Sequence, residues 1–398
     1  MLTTSKAWQI VQLNSKFIAT NILTGRCISL AYHIGKLLVF CETGKERESI
    51  ASYLKGHITS TTAIDATIST LLRKKLLISE EDDVFTDTIP AHPSLWGCTR
   101  SVGSRTKIVI LGAPFGLGNA EDIRCKDFPI HLRKFIWNYY SFKKQINNLD
   151  YLNFSEIGPQ FNVFNYKRII SSNYISDIGD ILFYCGESPK MFYTRLEKMT
   201  KGIINNGQIP ICIGGDHSIT FPIVAALNER KSPFAVLHFD AHADMKDGMV
   251  MKLHEQNGNI IVNHANVIKR ILEFDNVAHI FQFGVREPYR YDNPKITRIS
   301  IHDVKKVKVV KALEKLNLPV YITFDIDYFD PLIAPGTAST LPNGGDFEHT
   351  LKILSQILKH KQILGVDVVE ANAALDIRNQ TTLLVNHLLM HIISNIEL

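Results

Sequence analysis

Apolar and polar positions along this 398-residue chain fall into two regimes. In the first, up to residue 83, apolar stretches are short. Trp8-Gln9-Ile10-Val11-Gln12-Leu13 alternates as a strand does, and Phe17-Ile18-Ala19-Thr20-Asn21 follows after a short turn. Turn chemistry from Asn21 to Gly25 precedes a third short strand, Cys27-Ile28-Ser29-Leu30. Helical patterns follow at 34–40, 46–54 and 62–77; in the last, Ile64, Ile68, Leu71 and Leu72 recur at helical spacing and Leu76-Leu77 extend it. Three strands and then three helices predict a small winged-helix-like domain over 1–83, closed by the acidic run Glu80-Glu81-Asp82-Asp83. Residues 84–104 carry Pro90, Pro93, Gly97 and Gly103 with little periodicity and read as a linker.

From residue 105 the pattern changes. Continuous apolar runs at 107–111, 209–213, 234–239 and 321–324 alternate with helical patterns. A strand covered on both faces needs such a run, whereas a half-exposed strand alternates. The expected fold class is therefore α/β, a three-layer αβα domain with a parallel sheet over 105–398.

Composition narrows the function. A hydrophobic content of 45% and a charged content of 21% rule against a disordered chain. The net charge of +5 is small and its basic residues are dispersed, so nucleic acid is not an expected partner. No apolar run reaches the ~20 residues a membrane span needs, and the first six residues turn polar at once. The six cysteines form no Cys-x-x-Cys pair, which suits reduced thiols and a cytoplasmic location. Self-association is left open.

Chemistry gathers at three strand ends. Gly214-Gly215-Asp216-His217-Ser218 follows the run 209–213, Asp240-Ala241-His242-Ala243-Asp244 follows 236–239, and Asp325-Ile326-Asp327 follows 320–324. Ligands of parallel α/β sheets bind beyond the carboxyl ends of strands. Alternate residues of an extended segment share a side, so Asp240, His242 and Asp244 can converge, as can Asp325 and Asp327. Four such carboxylates repel one another unless some stay protonated, and two divalent cations remove the conflict. Oxygen-rich ligation with imidazole and no thiolate favours manganese or magnesium over structural zinc. Two metals sharing carboxylates stand roughly 3.5–4 Å apart and can activate one water between them.

This constellation resembles the ureohydrolases: arginases, agmatinases and formiminoglutamases. The likeness spans about residues 106–398 and includes the loop Gly112-Ala113-Pro114-Phe115-Gly116-Leu117-Gly118, Asp177-Ile178-Gly179-Asp180, the three acidic blocks, Ala334-Pro335-Gly336-Thr337 and Asp367-Val368-Val369-Glu370-Ala371-Asn372. It implies two Mn²⁺ ions, one among His217, Asp240, Asp244 and Asp325, the other among His242, Asp240, Asp325 and Asp327. Glu370 matches the glutamate that holds the guanidinium group of the substrate. Expelling an amine requires a proton, for which a histidine titrating near neutrality is suited. Both His254 and His264 stand where such a residue is expected; Val267-Ile268-Lys269-Arg270 after His264 resembles the family's helix start and favours that position. His238, His279, His302, His349, His387 and His391 read as core or surface residues.

One departure concerns the substrate. Where free-arginine enzymes have an Asn two residues beyond the last metal-binding Asp, this chain has Lys246, and a Ser-x-Asn pattern is missing. The N-terminal pattern is similar to the peptide-recognition domains of pathways that modify ribosomally made peptides, which bind a leader segment as an added strand. Together these resemblances imply a peptide arginase whose partner is a precursor peptide with a leader segment. A free-substrate arginase or agmatinase with an accessory domain, and a non-catalytic peptide-binding protein, are the alternatives.

Overall fold

The structure is a computed structural model describing residues 1–5, 8–21, 27–79, 88–91, 93–139, 163–184, 188–246, 255–256, 259–260, 262–304 and 317–398. These form two compact units, Met1–Ile89 and Pro90–Leu398.

The first unit runs β1 (Leu2–Thr4), β2 (Trp8–Leu13), β3 (Lys16–Asn21), β4 (Cys27–Leu30), α1 (Tyr32–Phe40), α2 (Arg47–Lys55), α3 (Thr61–Arg73) and β5 (Leu77–Ser79). β2, β3 and β4 form an antiparallel sheet in that order, which leaves β4 at an edge. Phe17, Ala19 and Leu30 from this sheet join Leu37, Leu38, Ile50, Leu54, Ile64, Ile68 and Leu71 from the helices in one core. Ser60 caps α3 by accepting the Ala63 N–H (3.4 Å).

The third helix stops short of the expected Leu77. Lys75 takes a φ of 53° and the Leu76 N–H turns back to the Leu71 carbonyl (2.9 Å), ending the helix. Leu77–Ser79 then pairs antiparallel with β1. Leu76 and Leu77 are buried, as helical spacing predicts, but a turn and a strand bury them.

The second unit contains β6 (Ile108–Ala113), β7 (Ile175–Ile181), β8 (Ile209–Gly214), β9 (Phe234–Phe239), β10 (Val277–Phe283), β11 (Ile296–Ile299), β12 (Val320–Asp325) and β13 (Ile363–Val369). They lie in the order β11-β10-β9-β12-β13-β8-β6-β7, each neighbouring pair parallel. Every residue of β9 and β12 is buried, as their unbroken apolar character requires. The longer described helices are α4 (Phe128–Tyr139), α5 (Val163–Ser171), α6 (Pro189–Asn205), α7 (Thr220–Asn228), α8 (Val267–Ile271), α9 (Phe347–His360) and α10 (Gln380–Asn395). α4, α5 and α9 pack around α10, while α6, α7 and α8 form a second group. Among the described residues no helix is long and apolar enough to cross a membrane.

The expected linker is only partly a linker. Leu95 and Trp96 are buried, the Leu95 N–H donates to Asp177 Oδ2 (2.7 Å), and Trp96 Nε1 donates to Asn386 Oδ1 (2.9 Å). These contacts anchor the stretch around Leu95 within the second unit, so that unit begins near Pro90 and not at 105. Leu95, Trp96 and Cys98 also join the main apolar core, but one short turn leaves no periodic signature. Residues 80–87, with the acidic run, lie outside the described residues.

Asp177 also anchors Arg133 of α4 through paired bonds of 2.8 and 2.9 Å, and Arg133 reaches Asp180 as well. All of Arg133 but 2% is buried. Removing one partner of a buried ion pair strands the other charge. Arg133→Met should therefore cost about 3–5 kcal/mol of stability, measured by denaturant unfolding of the full chain.

Candidate metal centre

Four adjacent strands, β9, β12, β13 and β8, bring their carboxyl ends together. The loop after β8 supplies His217, the loop after β9 supplies Asp240, His242 and Asp244, the end of β12 supplies Asp325 and Asp327, and Glu370 directly follows β13. Nδ1 of His217 lies 3.1 Å from Asp240 Oδ2, 2.9 Å from Asp244 Oδ2 and 3.3 Å from Asp325 Oδ2. Nδ1 of His242 lies 2.8 Å from Asp327 Oδ2 and 3.5 Å from Asp240 Oδ1. Asp240 thus faces both imidazoles, one with each oxygen.

Asp325 faces His217 with Oδ2, and its other oxygen, Oδ1, accepts the Asp327 N–H (2.9 Å). The second group is Asp240, His242 and Asp327. Convergence of 240–244 does not come from extended backbone throughout, because Asp244 adopts a φ of 52°. That turn swings its carboxylate back to His217.

The His217 tautomer is set from behind. Thr323 donates its hydroxyl proton to Asp367 Oδ1 (2.6 Å), so its oxygen accepts from Nε2 of His217 (2.9 Å). Asp367 is fully buried and also accepts from Thr220 (2.9 Å) and Tyr321. Nδ1 of His217 is therefore left with a lone pair and no hydrogen-bond donor of its own, aimed at three carboxylate oxygens. Such an arrangement requires positive charge between the atoms, either a proton on Nδ1 or a cation.

The electrostatics agree. Burial opposes charge on His217, yet Asp240, Asp244 and Asp325 outweigh it and raise its basicity well above the imidazole range. Burial, then Asp327 and Asp240, push Asp325 well up; burial and Asp240 raise Asp327 to about 6. Divalent cations would relieve this repulsion, and the oxygen and imidazole donors fit them. Histidine ligands to metals commonly donate their second N–H to an acceptor, as His217 does to Thr323.

His238, read from the sequence as core or surface, is completely buried against this centre. Its Nε2 lies 2.8 Å from Asp240 Oδ2. Gln282 Nε2 donates to the Ala243 carbonyl (2.9 Å) while Tyr291 donates to Gln282 Oε1, which fixes the amide. The same Nε2 then donates to Nδ1 of His238 (3.0 Å), so Nε2–H of His238 donates to Asp240. Although it stands among the possible ligands by distance, His238 orients a ligand from behind. The signal was available: His238 is two residues before Asp240 on a strand, hence on the same side.

Glu370 is buried, with a φ of 62°. Oε1 accepts the His217 N–H (2.9 Å) and Oε2 accepts from Asn119 Nδ2 (2.7 Å). Burial, then the nearby Asp216 carboxylate, hold its pKa well above the ordinary carboxylate range. Asn119 comes from the glycine-rich loop after β6, which Asp216 holds by accepting the Gly118 N–H (2.6 Å). A side chain at Gly118 would strike Ser218 Oγ at 2.5 Å, and one at Gly215 would strike the Phe115 carbonyl oxygen at 1.8 Å. Both glycines are steric requirements of this loop packing. Asn119 was missed because its loop carries no acid or histidine to mark it.

His264 lies at the same place: Nδ1 is 3.7 Å from Glu370 Oε1 and its side chain is 16% exposed. Its backbone N–H donates to the Gly118 carbonyl (3.1 Å). His254 lies outside the described residues. Lys246, two residues past Asp244, forms an ion pair with Glu287 (2.8 Å). His279 bonds Thr297 and His349 bonds Asp346, both in keeping with structural roles.

A parallel αβα sheet with paired carboxylate–imidazole clusters beyond four strand ends defines the class of binuclear metal hydrolases. Residues 106–394 match the model of the Arginase family, and the chain belongs to that family, whose hydrolases act on guanidino amidine bonds. An uncharacterised 32.2 kDa protein of Methanothermus fervidus is 34% identical over 49% of this chain and 67% of its own. The agmatinase of Photorhabdus laumondii is 32% identical over 51% of this chain and 64% of its own. The solved arginase of Medicago truncatula superposes with a TM-score of 0.57 at 27% identity, covering 74% of this chain and 89% of that one. The aligned stretches thus span about two thirds of the curated relatives' length.

Chelation of the purified protein should abolish hydrolysis, and Mn²⁺ should restore it. Thr323→Val, which removes the acceptor behind His217, should weaken Mn²⁺ binding ~10–100-fold, read by titration calorimetry on the chelated protein.

Proposed function

We propose that this protein is a binuclear manganese hydrolase that converts arginine residues within a precursor peptide to ornithine residues, releasing urea. The observation that supports the peptide reading lies in the first unit. β4 is an edge strand, with no strand on its outer side among the described residues. Beside it, Ile28, Leu30, Ile34, Thr67, Thr70 and Leu71 line a cavity of about 430 Å³ between strand and α3. An extended segment can add backbone hydrogen bonds to such an edge while seating alternate side chains in the cavity. A leader segment held there would raise the local concentration of the arginines that follow it.

The chemistry is assigned to residues of the second unit. Two divalent ions held by His217, Asp240, His242, Asp244, Asp325 and Asp327 would make water a strong nucleophile at neutral pH. A guanidinium carbon needs that strength, because its charge is shared over three nitrogens. Glu370 receives the planar guanidinium, its carboxylate matching paired N–H donors. The His217 N–H and Asn119 hold Glu370 in orientation. Water oxygen adds to the guanidinium carbon, the bond to the side-chain nitrogen breaks with its electron pair going to that nitrogen, and His264 relays to the departing amine a proton given up by the water. The products are urea and an ornithine residue. His264→Ala should lower turnover ~10²–10⁴-fold while both metals remain by elemental analysis; lost metal, or an intact rate, would remove His264 from this role.

Relatives named agmatinase and arginase favour a second reading, hydrolysis of a free guanidino compound. Mass spectrometry of a co-encoded precursor, alongside urea release from free arginine and agmatine, separates the two. Processing of the precursor is expected, with Thr70→Arg in the cavity slowing it far more than it slows a short acetylated arginine amide. The peptide reading is falsified if free arginine or agmatine is consumed efficiently and peptidyl arginine is left untouched.

A further inference from the structure

The second metal group hangs on a turn. Asp327 Oδ1 accepts the Ala241 N–H (2.9 Å), and Oδ2 lies 2.8 Å from Nδ1 of His242. The Asp327 N–H donates to Asp325 Oδ1 (2.9 Å), at the start of the short turn Ile326–Tyr328. These contacts fix the side chain of Asp327 but not the path of the chain that leaves it.

Arg286, three residues after β10, takes the carbonyls along that path. Its Nη2 donates to the Asp327 carbonyl (2.8 Å) and more weakly to that of Phe329 (3.4 Å), and Nη1 donates to that of Tyr328 (3.3 Å). The same guanidinium reaches a separate segment, with Nη2 on the Leu341 carbonyl (2.7 Å) and Nε on that of Pro342 (3.0 Å). The Arg286 backbone N–H donates to the Ala241 carbonyl (2.9 Å), between Asp240 and His242. One residue therefore ties the ligand loop after β9 to the end of β12 and to residues 341–342.

Its last acceptor is the Gly284 carbonyl (3.4 Å). Among the described residues every acceptor of this guanidinium is thus a main-chain carbonyl, and none is a carboxylate. An arginine fork ordinarily pairs with a carboxylate or phosphate. A carboxylate partner would fix one side chain, whereas carbonyl partners fix a backbone path. Burial lowers the pKa of Arg286, opposed by Asp327, Asp240 and Asp330, but an arginine stays charged in proteins. Hydrogen bonds from a charged donor are the stronger kind.

We infer that Arg286 is a positioning residue for the second metal group: its planar fork holds the turn that aims Asp327 at His242. This rests on the binuclear reading of the centre and not on the peptide substrate.

Mn²⁺ binding tests it without any turnover. Titration calorimetry on the chelated full chain, with elemental analysis after dialysis, should find two ions in the unaltered protein. Arg286→Met, which removes the donors, should weaken one ion about 10–100-fold and leave the other tight. Arg286→Lys keeps the charge but not the planar fork, so it should bind the weakened ion no better than Arg286→Met. His242→Ala removes the imidazole of the second group and should retain one ion. Adding Arg286→Met to it should change the affinity for that ion by less than about twofold, as for independent sites. Circular dichroism of each chelated variant checks the fold, and if Arg286→Met does not fold, Arg286→Lys decides. Unchanged affinity for both ions, or equal weakening of both, overturns the inference. Full affinity in Arg286→Lys overturns it too, since charge and not the fork would then suffice. Fewer than two ions in the unaltered protein overturns the binuclear reading along with it.

Discussion

Everything at the centre depends on where the lone pair of His217 points. The buried Asp367 accepts a hydrogen bond from Thr323, Thr323 accepts one from His217 Nε2–H, and Nδ1 is left facing three carboxylates. The direction of that chain of donors begins in the sheet, because Thr323 on β12 and Asp367 on β13 are register partners. Packing apolar strands side by side thus fixes which nitrogen of an imidazole in the loop after β8 donates to the scaffold. His238 repeats the logic on the other side of Asp240, with Gln282 on β10 as the origin. Register partners again set it, since His238 and Gln282 stand opposite each other in β9 and β10.

The sheet was legible where a strand is buried on both faces. An unbroken apolar run such as Phe234–Phe239 admits few other readings. The charged groups at the ends of such runs were legible for the same reason, since a carboxylate directly after a buried strand needs an explanation. His217, Asp240, His242, Asp244, Asp325 and Asp327 are brought together, and Glu370 and His264 stand beside them. The finer sharing was less visible. Asp325 gives one oxygen to His217, while its second caps the turn it begins.

What escaped the sequence has a common cause. Asn119, Thr323 and Gln282 are neutral, ordinary residues whose importance lies in the distant partners Glu370, His217 and His238. The burial of Leu95 and Trp96 escaped likewise, because one short turn and not a repeating face carries them into the apolar core. The end of α3 shows the opposite difficulty: leucines at helical spacing continue past the helix, and only the left-handed turn at Lys75 shows where it stops. Periodicity reports burial well and reports the backbone path that achieves it less well.

Two acids of the centre, Asp244 and Glu370, have left-handed backbone, with φ of 52° and 62°. Residues with a Cβ are disfavoured there, and glycine would sit more comfortably. The fold tolerates such backbone at several turns, Lys75 among them, and at these two positions the side chain it carries is one the chemistry needs. Selection for stability alone would drift toward glycine at both sites and erase the centre while leaving the scaffold firmer. A descendant of this chain that had lost its chemistry should therefore be recognisable by relaxed backbone at these two positions before any change in its core.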